Sequence, residues 1–240
     1  MAVVRDGRRF RHEFKFSLTH PDYRLLRSRL GKVMEQDPHA GPDGRYHIRS
    51  LYFDDFRNTA LYEKQAGVSR RRKYRIRIYN KSDKVIKLEC KNKFDQYISK
   101  DSASLTRQEA DRILDGDVSF LFRSDNALKR AFYLECRRNL LRPNVVVDYH
   151  REAYVHEIGN VRITFDIDLR SGIGFTDLFN PDMFTMGVVD EPGVILEVKY
   201  DNLLPRHIQG LFPNTIAPRL AIGKFVISKK HRKFNDWEDS

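Results

Sequence analysis

The sequence predicts an α+β protein organised around an antiparallel β-sheet. Three observations carry this expectation. Residues 73–79 and 85–91 each alternate strictly between polar and apolar side chains, with a short polar turn between them, as in a hairpin. Further strand-like runs occur at 46–53, 144–154, 160–168 and 194–200. Helical patterns are few and do not follow every strand, as a parallel sheet would require.

Taken in order, residues 9–17 alternate loosely around Phe10, Phe14 and Phe16. Pro21 opens a helix with Leu25, Leu26, Leu30 and Val33 at helical spacing and Gly31 near its end. Residues 41–44, Gly-Pro-Asp-Gly, form a turn, and 59–65 read as one or two helical turns. The hairpin turn is placed at 80–84. Thr106 followed by Glu109 resembles a capping box for a helix reaching about Asp115. Ser124 or Asp125 caps a longer helix carrying Leu128, Phe132, Leu134 or Glu135, and Leu140, ended by Pro143. Strands 144–154 and 160–168 are joined around 157–159. Residues 172–192 are loop-rich, 205–212 form a short helix, and 221–228 form a last apolar element. No linker divides the chain, so a single domain over 1–240 is expected, with a core of about 8–229 and a polar tail at 230–240.

Composition narrows the function. The 240 residues carry 44 Lys and Arg against 33 Asp and Glu, a net charge of +11. A 40% hydrophobic and 12% aromatic content excludes a disordered chain. No apolar run approaches the roughly 18 residues of a membrane span. The basic start lacks the apolar segment of a secretory signal. Two cysteines, Cys90 and Cys136, make no disulfide framework, and no Cys or His cluster has zinc spacing. A cytoplasmic location is therefore expected. His20, His39, His150, His207 and His231 are scattered and read as ordinary surface or core residues.

The charge is concentrated. Residues 70–100 hold twelve Lys or Arg against Asp83, Glu89 and Asp95, or +9 within 31 positions. Such a field selects an anionic partner, if it is more than a solvated surface. In the hairpin, Tyr74, Ile76, Ile78, Ile86, Leu88 and Cys90 share one face, and Lys73, Arg75, Arg77, Lys87, Glu89 and Lys91 share the other. Later strands repeat the division. Arg162, Thr164, Asp166 and Asp168 oppose Ile163, Phe165 and Ile167; Glu197 and Lys199 oppose Leu196 and Val198.

Two arrangements satisfy this pattern. The charged faces could point to water from an open sheet. Alternatively the sheet could curl, so that Arg49, Arg75, Arg77, Lys87, Arg151, Arg162 and Lys199 converge on one cavity filled by a polyanion. Glu89 and Glu197 lie on the basic faces. A nucleic-acid groove gains little from them, whereas Mg²⁺ or Mn²⁺ bound with phosphate is held by one or two carboxylates. Each could also be only a cross-strand ion-pair partner.

In these stretches the chain resembles the triphosphate tunnel superfamily, and within it the polyphosphate polymerase domain of the vacuolar transporter chaperone family in its bacterial form. The matching residues are 11–16 (RHEFKF), 48–54 (IRSLYFD), 72–77 (RKYRIR), 87–91 (KLECK), 147–151 (VDYHR), 162–166 (RITFD) and 195–200 (ILEVKY). Each motif is weak alone, but their order and spacing cover residues 8–229.

The resemblance implies an eight-stranded antiparallel tunnel with flanking helices, and metal-dependent transfer of the γ-phosphate of ATP to a growing polyphosphate. It assigns phosphate binding and catalysis to Arg75, Arg77, Lys87, Arg151 and Arg162. It adds Lys15, Arg49, Lys100, Lys199 and Lys224 as further basic tunnel positions. It makes Glu197 the ligand of Mn²⁺ or Mg²⁺, with Glu89 as a second candidate. Gly223 stands where the family usually has a serine before the lysine of Lys224. Glu13 stands alone before Lys15, where much of the superfamily has alternating glutamates, which disfavours triphosphate hydrolysis. The membrane helices and sensory domain of the eukaryotic relatives are absent from this sequence, so any membrane partner is a separate chain. Two alternatives remain: a triphosphatase using the same tunnel, with Glu89 orienting water, and a non-catalytic binder of RNA or another polyanion. Nucleic acid is disfavoured because no RNP1-like sequence, KH loop or zinc finger is present.

Overall fold

A computed structural model describes residues 4–5, 8–9, 11–94, 97–172, 175–188, 193–212, 224–225 and 228. Among these residues, twelve strands and five α-helices alternate in groups. They are β1 (Val4–Arg5), β2 (Arg8–Arg9), β3 (His12–Leu18), α1 (His20–Leu30), β4 (Glu35–Gln36), β5 (Tyr46–Asp54), α2 (Thr59–Gln65), β6 (Arg70–Tyr79), β7 (Ser82–Phe94), β8 (Tyr97–Leu105), α3 (Arg107–Leu114), α4 (Ala127–Arg138), β9 (Arg142–His156), β10 (Val161–Gly172), β11 (Met186–Gly187), β12 (Val194–Tyr200) and α5 (Arg206–Gln209).

The expected antiparallel sheet with flanking helices is present. Eight strands follow one path, β3-β12-β10-β9-β5-β6-β7-β8, and every described pairing is antiparallel. The two-residue β4 and β11 attach to β9 and β10, so this sheet has ten strands rather than eight. Among the described residues, the backbones of its two ends are hydrogen-bonded to each other only at the bridge between Arg11 and Ile98. The wall is therefore open along a seam between β3 and β8, not hydrogen-bonded all the way round.

Local chemistry accounts for the helices. Thr19 caps α1 by accepting from the Asp22 backbone N–H at 3.1 Å. The buried stripe of α1 is Tyr23, Leu26 and Leu30, whereas Leu25 and Val33, expected in that stripe, are exposed. The capping box of α3 is complete: Thr106 accepts from Glu109 N, and the Glu109 carboxylate accepts from Thr106 N. Asn126, not Ser124 or Asp125, caps α4. Asn80 and Lys81 both adopt positive φ, giving the two-residue turn that suits a twisted hairpin and restarts the strand at Ser82.

The helices cover the outside. Helices α3 and α4 pack on the outward face of β6, β7 and β8 through Ile113, Leu128 and Phe132, against Ile76, Leu88 and Leu105. Helix α1 and Ile208 of α5 cover Phe165, Leu196 and Val198. A third apolar group lies on the opposite face of the sheet: Tyr52, Val145, Val147, Tyr149 and Ile195, with Leu61 of α2 and Phe225. Strand β8 has no counterpart in the sequence reading. Its residues are largely Ser, Lys and Asp, and as the last strand of the path it has a second edge paired, among the described residues, only at the Arg11–Ile98 bridge. The tail at 230–240 and most of the element expected at 221–228 lie outside the described residues.

Candidate functional site

Register determines which side chains share the inward face. Tyr52, Arg75, Glu89 and Ser102 lie side by side across β5, β6, β7 and β8. Ser50, Arg77, Lys87 and Ser104 form the next row. Across the rest of the wall, Arg151 pairs with Asp166, Thr164 with Glu197, Glu197 with Lys15, and Arg162 with Lys199.

Side-chain contacts show that this face is concave. Arg77 on β6 reaches past β5 to donate to the Tyr149 hydroxyl on β9 at 3.1 Å. Arg151 on β9 reaches past β10 to Glu197 on β12 at 3.5 Å. Lys91 on β7 crosses to Glu13 on β3 at 2.6 Å. Strands β7 and β3 lie near opposite ends of the path, so the Lys91–Glu13 contact requires the sheet to curl. Arg77, Glu89, Arg151, Glu197 and Lys224 are all buried, so the open sheet with solvated charges is excluded.

Each inward carboxylate is ringed by cations. Glu89 accepts from Arg75 at 2.7 Å and Lys100 at 2.6 Å, with Arg77 at 3.9 Å. Burial opposes its ionisation, but Arg75, Arg77 and Lys100 outweigh it and lower its pKa. Glu197 lies 3.1 Å from Lys199 and 3.3 Å from Lys15. Burial again opposes the charge, and Lys199, Lys15, Lys224 and Lys91 together hold its pKa well below the usual carboxylate range. Asp166 takes two bonds from Arg151, at 2.6 and 2.9 Å, and an ion pair from Lys224. Despite burial, Arg151 and Lys224 bring its pKa down to about 2.

Most residues expected at the site are therefore brought together: Lys15, Arg75, Arg77, Lys87, Glu89, Lys100, Arg151, Arg162, Glu197, Lys199 and Lys224. Lys87 is half-buried and donates to Ser104 at 2.8 Å. Arg162 stands further out, bonded to the Tyr46 hydroxyl at 3.1 Å and paired with Asp37. Lys224 enters the lumen from the C-terminal segment and lies 4.9 Å from the centre of the Tyr149 ring.

Arg49 is the exception, and its placement corrects the expectation. Ile48 and Ser50 occupy the inward positions of β5, so Arg49 points outward, where it is 1% exposed. There it grips Asp148 through Nε and Nη2, both at 2.9 Å, and donates to the backbone carbonyls of Leu178 and Asn180. It anchors a loop to the outside of the barrel. A cavity of about 440 Å³ opens on that outer side, lined by Arg45, His47, Arg49, Lys81, His150 and Arg170 among others. Arg49, Lys81 and Arg170 are already bonded to the protein, and Arg75, Glu89 and Glu197 do not line it.

Sequence reasoning left Asp166, Lys91 and Tyr149 without a role in the site. The first two share strand parity with Arg162 and Glu89, a signal that was available. The Tyr149 contact depends on the curl of the sheet, which parity does not encode.

Among the described residues, no group of three or more His, Cys, Asp or Glu side chains could hold a metal ion unaided. Glu197 does have Glu13 and Asp166 close enough to oppose its charge and theirs. Oxygen donors of this kind suit Mg²⁺ or Mn²⁺ bound mainly by phosphate and completed by one or two carboxylates.

Solved structures of low sequence identity resemble the chain. A candidate adenylate cyclase from Bacillus halodurans is 16% identical, with 86% of this chain and 87% of that one aligned at a TM-score of 0.50. The PH1819 protein of Pyrococcus horikoshii is 12% identical over 92% of this chain and 99% of that one, at 0.49. A candidate adenylyl cyclase from Hippeastrum, described as having a dominant triphosphatase activity, is 12% identical over 93% and 96%, also at 0.49. No curated protein matches the chain in sequence. The family described as VTC domain matches residues 10–230, almost the full length, and the chain belongs to that family.

Proposed function

We propose that this protein is a metal-dependent polyphosphate polymerase that transfers the γ-phosphate of ATP to a growing polyphosphate. The carrying observation is the concave wall on which Lys15, Arg75, Arg77, Lys87, Arg151, Arg162 and Lys199 converge around a few carboxylates. Such a surface neutralises a row of phosphates and holds it in line, which is most of what phosphoryl transfer requires. Arg75 and Arg77, two residues apart on β6, present neighbouring guanidiniums to successive phosphates. Arg151, fixed by Asp166, offers its remaining donors from the opposite wall. A terminal oxygen of the acceptor chain forms the new bond to the γ-phosphorus, the bond to the β–γ bridging oxygen breaks, and ADP leaves. Glu197, with Glu13 or Asp166, is the proposed carboxylate set for Mn²⁺ or Mg²⁺, which when bound would offset negative charge on the phosphates.

The carboxylates favour this reading over a triphosphatase. Glu89, Glu197 and Asp166 all have lowered pKa values, which makes them weak proton acceptors. A basic group helps to activate water, whereas a terminal phosphate oxygen is already ionised. The test is incubation of purified protein with ATP and Mn²⁺ or Mg²⁺, measuring ADP, free phosphate and acid-labile polymer separately. ADP matched by polymer is expected. ADP matched by free phosphate would make the protein a triphosphatase, and no ATP consumption would leave only a polyanion binder.

A further inference from the structure

Helix α4 packs on the sheet with one face only. Leu128 and Phe132, one turn apart, are buried beneath it. Arg130, Leu134 and Arg137 follow one another at helical spacing and form a ridge on the far side, where all three are exposed. Phe122, in the 3₁₀ turn Ser119–Arg123 that precedes α4, extends this ridge. Its ring lies 5.4 Å from that of Tyr133, and it is 60% exposed.

Leu140 ends the ridge in an unusual conformation, with a φ of 52°. Just past a helix that conformation favours Gly or Asn and is costly for a leucine. The Leu140 side chain is 53% exposed, so packing within the chain does not offset the cost.

The surroundings are basic. Residues 122–142 hold six Lys or Arg against Asp125 and Glu135. Glu135 is engaged by Arg72 and Asn139, and Lys129 by Glu109. Arg130 donates to the Ser124 carbonyl at 2.6 Å. Among the described residues, Arg123, Arg130, Arg137 and Arg138 have no ion pair. Arg137 and Arg138 suit the C-terminal end of the helix dipole. That role does not extend to Arg123 and Arg130, nor to the exposed apolar side chains.

We propose that this ridge docks on an anionic lipid bilayer, with Phe122, Leu134 and Leu140 at the headgroup boundary and Arg130 and Arg137 on lipid phosphates. Two features select a bilayer. The ridge is the outer side of a helix, so it offers no groove for the side chains of a peptide, and a fluid surface needs none. Its apolar groups gain little from a nucleic-acid backbone but gain by leaving water at the acyl boundary. The protein would lie on the membrane, since no helix among the described residues is long and apolar enough to cross one. The inference does not depend on the polymerase reading, because α4 packs outside the wall that carries Arg75 and Glu197.

The test is co-sedimentation with vesicles of phosphatidylcholine alone, and of phosphatidylcholine mixed equally with phosphatidylserine. The wild type should bind the mixed vesicles, more weakly as salt rises, and should leave the neutral ones unbound. Arg130→Gln combined with Arg137→Gln should lower that affinity about 25-fold, at about fivefold per cation near the surface. Leu140→Gly, which suits the positive φ, should melt no lower than the wild type yet bind vesicles several-fold more weakly. Tripolyphosphate affinity should be unchanged in these variants. No binding to the mixed vesicles, or unchanged binding in the variants, would overturn the proposal. A matching fall in tripolyphosphate affinity would place the vesicle contact at the lumen and overturn it as well. Equal losses for duplex DNA or soluble polyglutamate, with none in Leu140→Gly, would make the ridge a general polyanion contact instead of a bilayer surface.

Discussion

Replacing Glu197 by Gln separates a metal-holding carboxylate from a mere ion-pair partner. In the structure this 4% exposed side chain has Lys199 at 3.1 Å, Lys15 at 3.3 Å and Arg151 at 3.5 Å. Removing its charge leaves these buried cations under-compensated, which costs about 3–5 kcal/mol. That is less than the roughly 5–15 kcal/mol by which domains are stable, so the variant should fold with a clearly lowered Tm. Tripolyphosphate should restore part of the loss, since it supplies negative charge where the carboxylate was removed, and its affinity should be unchanged or higher. Turnover of ATP should fall by roughly a hundred- to a thousandfold, the usual cost of losing an electrostatic contributor to the transition state. Thermal melts with and without tripolyphosphate, together with ADP release at saturating Mn²⁺, read all three effects. A variant that melts lower but turns over ATP normally would refute the catalytic assignment of Glu197.

Other perturbations have defined outcomes. Arg75→Ala or Arg77→Ala should weaken tripolyphosphate binding by roughly tenfold to a hundredfold, measured by calorimetry, through loss of a charge-assisted contact. Arg49→Met should cost about 3–5 kcal/mol of stability by leaving Asp148 buried and unpaired, while the folded protein keeps its tripolyphosphate affinity; an affinity loss would place Arg49 at the phosphates. Acid should destabilise the empty protein. Asp166 is lowered to about 2, so its contribution of about 2 kcal/mol is present above its unfolded value near 4 and disappears as pH falls towards 2. In Asp166→Asn, a denaturant series across that range should show a shallower pH dependence.

What the sequence conveyed, and what it withheld, follows from the physics of strands. Alternation at 73–79 and 85–91 was legible because one face of β6 and β7 packs against α3 and α4 while the other carries charge. The pairing of Arg151 with Asp166 and the position of Glu197 beside Lys15 follow from register, which turn geometry and burial fix and a single strand does not display. Arg49 shows the limit of residue type as a guide. A guanidinium is equally suited to phosphate and to Asp148, and only the inward position of its neighbours Ile48 and Ser50 decides between them. Strand β8 was hidden because an edge strand facing charge on one side needs little apolar character, and Ser99 to Ser104 have little. The seam is likewise a property of how the two ends of the sheet meet at Arg11 and Ile98, residues distant in sequence.

The most direct test is a crystal structure of the protein with tripolyphosphate and Mn²⁺. Phosphate oxygens should lie within hydrogen-bonding distance of Arg75, Arg77, Lys87, Arg151 and Arg162, with the ion on Glu197 and phosphate oxygens together. Phosphates bound instead on the outer side near Arg49 and His150, or an ion held away from Glu197, would contradict the account.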